Sequence, residues 1–176
     1  MSKFNTEHNP ERKTGKEKYD ELSRAKYAAC YYLSRRSLTD RQLREKLEKK
    51  EYLPEVINET LEYMTEAGYI NDADYAARYV QDALNLKRHG KRRIRQDLRQ
   101  KGIDIEVIDE VLGETESDSS PALRALIEQK SAGLDLGDRK HRARVFNFLV
   151  RRGYDFDEIN TAIREFTEGT EDTDFD

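Results

Sequence analysis

Proline, glycine and tryptophan are scarce in this chain, whose 176 residues include three prolines, nine glycines and no tryptophan. Because the turns of β-sandwiches and barrels are rich in proline and glycine, this scarcity argues against an all-β fold. Apolar residues make up 36% of the chain and charged residues 39%, a balance typical of amphipathic helices with solvated outer faces. The composition therefore predicts an all-α fold.

Long hydrophobic runs are also missing. No segment has the roughly eighteen apolar residues that a bilayer span needs, and residues 1–20 lack the apolar core of a secretory signal. We therefore expect a cytoplasmic protein with no membrane partner. The single cysteine, Cys30, lies among Ala28, Ala29 and Leu33 on a helical pattern, so we expect it to be buried as packing.

Motifs of known catalytic chemistry do not occur. There is no glycine-rich phosphate loop, dinucleotide fingerprint, nucleophile elbow or zinc-protease helix. The three histidines, His8, His89 and His141, share no ligand spacing with one another or with Cys30. The chain is therefore predicted to be a non-enzyme with no metal and no other cofactor.

A repeat of 51 residues organises the sequence. Without gaps, this offset aligns Leu43, Ile94 and Val145; Leu47, Leu98 and Leu149; Ile57, Ile108 and Ile159; Leu61, Leu112 and Ile163; Tyr52, Ile103 and Tyr154; and, at the turn, Glu51, Gly102 and Gly153. Each copy has the apolar spacing of a leading helix followed by a helix–turn–helix. We predict nine helices in three tandem three-helix repeats, packed as an elongated curved array.

The repeats are predicted at residues 18–68, 69–113 and 121–167. Residues 1–17 form a flexible N-terminal extension in this interpretation. Segments 114–120 and 168–176 contain acidic residues and no basic ones, and have few residues able to bury. They are predicted to be an acidic linker and a disordered acidic tail.

The strongest chemical feature is the run of residues 87–101, which holds eight cations and one acid. On a helix starting near Gly90, the side chains of Arg92, Arg95 and Arg99 lie on one face. Cations in a first helical turn oppose the helix dipole, which we interpret as a sign that they bind a partner. Arginine faces recognise phosphates or carboxylates, so the partner is nucleic acid or an acidic protein surface. The alternative is a charged helix that is merely solvated.

A second basic cluster lies at the equivalent place in the third copy. Here, however, the positions matching the arginine stripe are Ala143, Phe146 and Val150, so this helix is apolar nearly all round. It is either sandwiched between helices, which we favour, or presents a hydrophobic contact to a partner. The candidate residues for binding a partner or DNA are Lys87, Arg88, Lys91, Arg92, Arg93, Arg95, Arg99, Lys101, Arg139, Lys140, Arg142, Arg144, Arg151 and Arg152.

The ten tyrosines suggest stacking on single-stranded nucleic acid. Their spacing favours another interpretation. Tyr27 and Tyr31 are four residues apart, as are Tyr75 and Tyr79, and tyrosines at such spacing on alanine-rich helices are typical of packing between repeats.

Two segments carry a resemblance to a known family. Residues 68–80, GYINDADYAARYV, and residues 90–103, GKRRIRQDLRQKGI, resemble the central motif of the bacterial RecX family, the regulatory proteins of the RecA recombinase. Segments 37–47 and 148–159 fit the same family, and the match covers about residues 25–166. The resemblance implies an array of three-helix repeats that binds the RecA filament on DNA. It also implies modulation, usually inhibition, of ATP hydrolysis, strand exchange and coprotease activity, and no catalytic residues.

Three hypotheses follow. The leading one is a regulator of RecA, most often an inhibitor, which acts as a monomer and contacts DNA weakly, directly or through the filament. The second is a helical protein that binds nucleic acid directly and acts independently of RecA. The third is a plain helical adaptor with neither activity.

Overall fold

The computed structural model describes residues 15–115 and 120–171. Within these residues the fold is all-α, with nine helices and no strand. The helices are α1 (Gly15–Arg35), α2 (Asp40–Glu48), α3 (Pro54–Glu66), α4 (Asp72–Asn85), α5 (Lys91–Gln100), α6 (Ile105–Glu114), α7 (Ser120–Ser131), α8 (Arg139–Arg152) and α9 (Phe156–Glu171). The chain divides into two compact units, one holding α1–α3 and the other α4–α9. The all-α tandem-repeat prediction is confirmed.

Each helix triplet encloses its own hydrophobic core. The four apolar positions that recur with the 51-residue offset are buried in all three copies, for example Leu47, Leu98 and Leu149 at 0% exposure. They join the cores of α1–α3, α4–α6 and α7–α9 respectively. The repeat in the sequence is thus a repeat of core positions.

The turn before the last helix of each repeat has a left-handed residue. The φ angles of Glu51, Gly102 and Gly153 are 59°, 87° and 91°. Glycine adopts this conformation without strain, whereas Glu51 carries a side chain there at some cost. The turn position that the sequence alignment identified is therefore structurally equivalent in all three copies.

The helices α2, α3 and α6 begin in different ways. The Gln42 N–H donates to Thr39 Oγ1 at 3.2 Å and the Thr39 N–H donates to Gln42 Oε1 at 3.4 Å, and the two bonds together form a capping box. Pro54 is the first residue of α3, a position where its missing N–H costs no helical hydrogen bond. Asp104 occupies the N-cap of α6, but its side chain makes no capping hydrogen bond.

Replacing Thr39, which is fully buried, by alanine removes the capping hydroxyl together with one methyl group. We expect the Thr39→Ala variant to lose about 1 to 2 kcal/mol of unfolding free energy, because a buried first-turn N–H loses its acceptor. Urea denaturation followed by circular dichroism measures this loss. A Thr39→Ser variant keeps the hydroxyl and should recover most of the stability; equal losses in both variants would contradict a role for the cap.

Four segment boundaries differ from the prediction. The first helix begins at Gly15, so residues 15–17 are helical and do not belong to a flexible extension. Helix α9 continues to Glu171, four residues into the predicted disordered tail, and Glu114 and Ser120 belong to α6 and α7. Thr115 follows α6 as its C-cap residue, and residues 1–14, 116–119 and 172–176 of the extension, linker and tail lie outside the described residues.

The exposed side of α1 contradicts two packing predictions. Tyr27 and Tyr31 are 78% and 52% exposed, and Cys30 between them is exposed as well. The buried side of α1 includes the small residues Ala25 and Ala29 besides Glu21 and Leu22, and the alanines let α3 approach closely. By contrast, Tyr75 and Tyr79 of α4 are partly buried against the core of α4–α6.

No helix within the described part of the chain is both long and apolar enough to cross a membrane. In the same residues, no three His, Cys, Asp or Glu side chains are grouped closely enough to hold a metal ion.

Candidate partner-binding site

The basic segment 87–101 comprises the loop after α4 and helix α5, and its start touches the end of α8. The Gly90 N–H donates to the Arg152 carbonyl at 2.9 Å, and the Arg92 N–H donates to the Gly153 carbonyl at 3.2 Å. A Cβ on Gly90 would lie 2.2 Å from the Gly153 oxygen, and one on Gly153 would lie 2.4 Å from the backbone nitrogen of Arg93. Only glycine fits at either position. We call this contact the α5–α8 junction.

Side chains of α8 and of the turn after it also bind the loop. Arg152 Nη1 donates to the Lys87 carbonyl at 2.6 Å, and the Tyr154 hydroxyl donates to the Arg88 carbonyl at 3.2 Å. Arg88 itself has a positive φ of 51°. The junction therefore fixes the loop that carries Lys87 and Arg88, two of the candidate residues.

The junction gives the cations in the first turn of α5 an internal counter-charge. The C-terminus of α8, the negative end of its dipole, meets the N-terminus of α5, the positive end of that helix's dipole. Asp155, just after α8, lies 3.8 Å from Arg92. Their position in the first turn is therefore not by itself a sign that they bind a partner, as we interpreted it from the sequence, because the fold itself neutralises part of their charge.

The arginines of α5 differ in their partners. Arg93 Nε lies 3.0 Å from Asp97 Oδ1, and Arg95 donates to Asp109 Oδ1 through Nε and Nη2 at 2.9 and 2.8 Å. The Arg92 guanidinium lies over the ring of Phe156 at 5.7 Å. Arg99 is exposed, and its side chain has no hydrogen bond or ion pair among the described residues. Of the predicted stripe Arg92, Arg95 and Arg99, only Arg99 presents its full charge outward.

Behind these arginines lies a polar network on α4 and α5. The Tyr79 hydroxyl donates to Asp97 Oδ2 at 3.0 Å, and burial, followed by this hydrogen bond, raises the pKa of Tyr79 to about 12. The ammonium groups of Lys87 and Lys101 lie 4.9 and 5.2 Å from the centre of the Tyr79 ring. These two candidate residues therefore pack on an aromatic ring, which fixes their direction.

His89 is the titratable group of the junction. Its Nδ1 is buried and has no hydrogen-bond partner among the described residues; the nearest carboxylate oxygen, on Asp97, is 3.9 Å away. Burial first, and then the positive charge of Arg152, lowers the pKa of His89 below 6.5. The folded protein therefore holds this imidazole neutral more strongly than the unfolded chain does.

This lowered pKa predicts a loss of stability in mild acid. Below about pH 6.5 His89 binds a proton more readily in the unfolded chain than in the folded protein. Protonation therefore stabilises the unfolded state, and the free energy of unfolding falls. Stability is full above this pH and falls as pH drops toward the lower folded pKa. We expect the melting temperature to fall less between about pH 7.5 and 5 in a His89→Gln variant than in the wild type. Identical losses in the two proteins would contradict this prediction.

Helix α8 carries a second basic stripe, whose three cations are among the predicted candidates but were not recognised from the sequence as sharing one side of the helix. Lys140, Arg144 and Arg151 are exposed and lie on one side of the helix together with Asn147. None of the three cations pairs with an acid among the described residues. Eleven residues of helix place the two ends about 16 Å apart. We call Lys140, Arg144 and Arg151 the α8 stripe.

The α8 stripe is displaced by one position from the one on α5. The positions equivalent to Arg92, Arg95 and Arg99 are apolar, but the following positions carry Arg144, Asn147 and Arg151. Phe146 and Val150 are partly buried against the core of α7–α9, and the Phe146 ring packs on Phe156 with centroids 5.6 Å apart. This packing supports the sandwiched alternative for α8. The spacing 140, 144, 151 is the signal that reveals the stripe.

The remaining candidate cations on α5 and α8 differ in their surroundings. Arg142 Nε donates to the Leu136 carbonyl at 3.1 Å, while Arg139 is exposed at the first turn of α8. Lys91 reaches the Leu112 carbonyl at 3.5 Å. Arg152 faces the junction, whereas its neighbour Arg151 faces outward. Three of the fourteen candidates thus form the α8 stripe and others lie around the junction, whereas Arg139 and Arg142 lie on other sides of α8 and belong to neither group.

Comparison with known proteins identifies the same three repeats. Family models match residues 25–64 as the first three-helix domain of RecX, 71–112 as the second and 121–163 as the third. Regulatory protein RecX of Vibrio campbellii is 35% identical over 79% of this chain and 89% of that protein. Regulatory protein RecX of Trichlorobacter lovleyi is 36% identical over 74% and 90%. The crystal structure of RecX from Lactobacillus salivarius superposes with a TM-score of 0.77, covering 85% of this chain and 98% of that one at 26% identity.

Proposed function

This chain belongs to the RecX family of regulatory proteins, and on that premise we propose that it regulates a RecA-type recombinase by binding the filament that the recombinase forms on DNA. We expect the effect to be inhibition of ATP hydrolysis, strand exchange and coprotease activity. The protein acts in the cytoplasm as a binding protein, without catalysis and without a cofactor.

The α8 stripe is the observation that carries this proposal. Its three cations are exposed, share one side of a helix and lack an acidic partner among the described residues. Unpaired cations in a row attract a polyanion, which in a recombinase filament is either DNA phosphate or an acidic protein surface. Arg99 adds a fourth outward charge on α5.

The junction group has a different part in this proposal. Arg92, Arg93 and Arg95 each have a carboxylate within 4 Å, and Arg152 binds a backbone carbonyl. Exposed ion pairs of this kind are weak, so these arginines remain able to contact a partner as well. We propose that, with Lys87, Arg88, Lys91 and Lys101, they form the edge of the interface. The α8 stripe supplies most of the attraction.

The test is DNA-dependent ATP hydrolysis by the recombinase from the same organism, with this protein titrated from far below stoichiometric amounts. We expect hydrolysis to fall. A fall at low ratios indicates capping or disassembly of the filament, whereas a fall only near one molecule per recombinase indicates binding along it. Unchanged hydrolysis with retained DNA binding would overturn the proposal in favour of the direct nucleic-acid-binding alternative.

Salt separates the two candidate functions further. Binding to phosphates alone weakens by orders of magnitude between low and moderate salt, whereas a protein interface with apolar contacts weakens less. We therefore expect inhibition of the recombinase to survive a salt concentration that abolishes binding of this protein to free DNA.

A further inference from the structure

A groove lined by tyrosines lies on the first repeat and shares no residue with either basic group. One wall is the exposed side of α1, with Arg24, Tyr27 and Tyr31, and the other is the turn between α2 and α3, with Lys50 and Tyr52. Its volume is about 540 Å³, within the range of small-ligand sites. The groove belongs to the unit formed by α1–α3 alone.

Two of the four tyrosines that line this groove, Tyr27 and Tyr31, are 78% and 52% exposed, whereas Tyr32 and Tyr52 are partly buried. Tyr27 and Tyr31 follow each other by one helical turn, so their rings stand side by side on the same side of α1. Their exposure leaves large apolar faces in water, although the neighbouring Ala25 and Ala29 are fully buried. An exposed group of large aromatic side chains is the kind of surface that marks a binding site.

The charges around the rings select the kind of ligand. Arg24 and Lys50 line the groove, the Arg35 guanidinium lies 5.6 Å from the centre of the Tyr31 ring, and the Lys46 ammonium lies 4.8 Å from that of Tyr32. Asp20 is the one acid lining the groove. Aromatic faces among an excess of cations match a ligand that offers flat rings and negative charge together.

The groove is held in shape by buried contacts. Glu21 is 4% exposed, and its Oε1 accepts the Leu53 N–H at 3.3 Å, which ties α1 to the turn that forms the opposite wall. Leu22, Ala25 and Val56 form a buried cluster beneath it, with Tyr52 packed against them. Both walls are therefore fixed relative to each other before any ligand arrives, which reduces the entropy cost of binding.

We propose that this groove binds single-stranded DNA by stacking unpaired bases on Tyr27 and Tyr31, with Arg24 and Lys50 on the adjoining phosphates. A base offers a flat ring to tyrosine, and a single strand offers phosphates at short intervals. Duplex DNA keeps its bases stacked on one another and leaves the rings unoccupied. The choice of DNA over RNA rests on the proposed function; the stacking itself does not.

The absence of tryptophan gives a direct assay, because all intrinsic fluorescence above that of phenylalanine comes from the ten tyrosines. A short oligo-dT is titrated into the full-length protein without recombinase. We expect quenching of tyrosine emission by oligo-dT and much less by a duplex of equal length. A ribonucleotide oligomer of the same length is the second arm; preference for it over oligo-dT would overturn the assignment to DNA.

Variants test which tyrosines are responsible. The Tyr27→Ala, Tyr31→Ala double variant should bind oligo-dT at least about tenfold more weakly, while Tyr27→Phe, Tyr31→Phe keeps the rings and should bind nearly as the wild type. Tyr69→Ala is the matched control, because Tyr69 is 60% exposed and lies outside the groove. Both substituted tyrosines are exposed, so the melting temperature should stay unchanged.

The dependence on salt separates stacking from charge attraction. Removing the tyrosines should weaken binding by the same factor at every salt concentration, whereas removing cations reduces the slope with salt. Wild-type affinity for oligo-dT in the double alanine variant would overturn the proposal. If that variant bound oligo-dT normally yet failed to inhibit the recombinase, the groove would be a protein contact, and the stacking proposal would be wrong while the proposed function stood.

Discussion

A Gly153→Ala variant is expected to be less stable than the wild type by about 3 kcal/mol or more. The left-handed φ of 91° costs a residue with a Cβ about 1 to 2 kcal/mol. The added methyl group would in addition lie 2.4 Å from the backbone nitrogen of Arg93, so α5 or α8 must move. For a chain of this length the loss corresponds to a fall in melting temperature of about 6 to 12 °C.

Two further glycines separate strain from steric overlap. Gly133 follows α7 with a φ of 73°, and a methyl group added there would meet no atom within 4 Å, so Gly133→Ala should cost only about 1 to 2 kcal/mol. Gly90 has an ordinary φ of −74°, but its methyl group would lie 2.2 Å from the Gly153 oxygen. Gly90→Ala should therefore lose stability through overlap alone. If Gly153→Ala lost no more unfolding free energy than Gly133→Ala, and Gly90→Ala lost none, these results would contradict the close approach of the two backbones at the junction.

Replacing Lys140, Arg144 and Arg151 together by alanine should weaken inhibition of the recombinase about a hundredfold at low salt. Each cation lost removes a charge-assisted contact, and all three are exposed, with no acid to compensate among the residues that the structure describes. The salt dependence of filament binding should decrease by about two to three units of slope. Alanine is a strong helix former, so α8 itself should stay folded.

The matched control is the triple change of Arg92, Arg95 and Arg99 to alanine on α5. It removes the same number of positive charges, but two of these arginines already have acidic neighbours at Asp155 and Asp109. We expect a smaller loss of inhibition than in the α8 variant. Circular dichroism and melting temperature check that both variants are folded. Full inhibition by a folded α8 variant would show that the α8 stripe is not part of the interface with the filament.

The sequence was sufficient to predict the repeat, because the residues that repeat are those that the fold buries. Leu43, Leu47 and Leu61 recur at fixed intervals since each copy must enclose its own small core. The turn glycines were equally predictable, because few other residues adopt a left-handed φ cheaply. Helical spacing also identified which cations share a side of α5.

Spacing does not say which side of a helix faces inward. On α1 the small residues Ala25 and Ala29 are buried and the large Tyr27 and Tyr31 are exposed, the reverse of what side-chain size suggests. The close approach of α3 decides this, and it is a property of two helices together. Lys140, Arg144 and Arg151 were predicted as candidates, but their alignment on one side of α8 was missed for a related reason, since a stripe was sought only at the positions equivalent to those of α5.

The contact between α5 and α8 also affects the order in which the repeats can complete their folding during synthesis. The amide of Gly90 binds a carbonyl of Arg152, and the Lys87 and Arg88 carbonyls bind side chains about 65 residues further along. At typical translation rates of about 5 to 20 residues per second, these partners emerge from the ribosome roughly 3 to 13 seconds after the loop that needs them. When the second repeat leaves the ribosome, the loop before α5 therefore still lacks its hydrogen-bond partners. These bonds form only after the end of α8 in the third repeat has been synthesised.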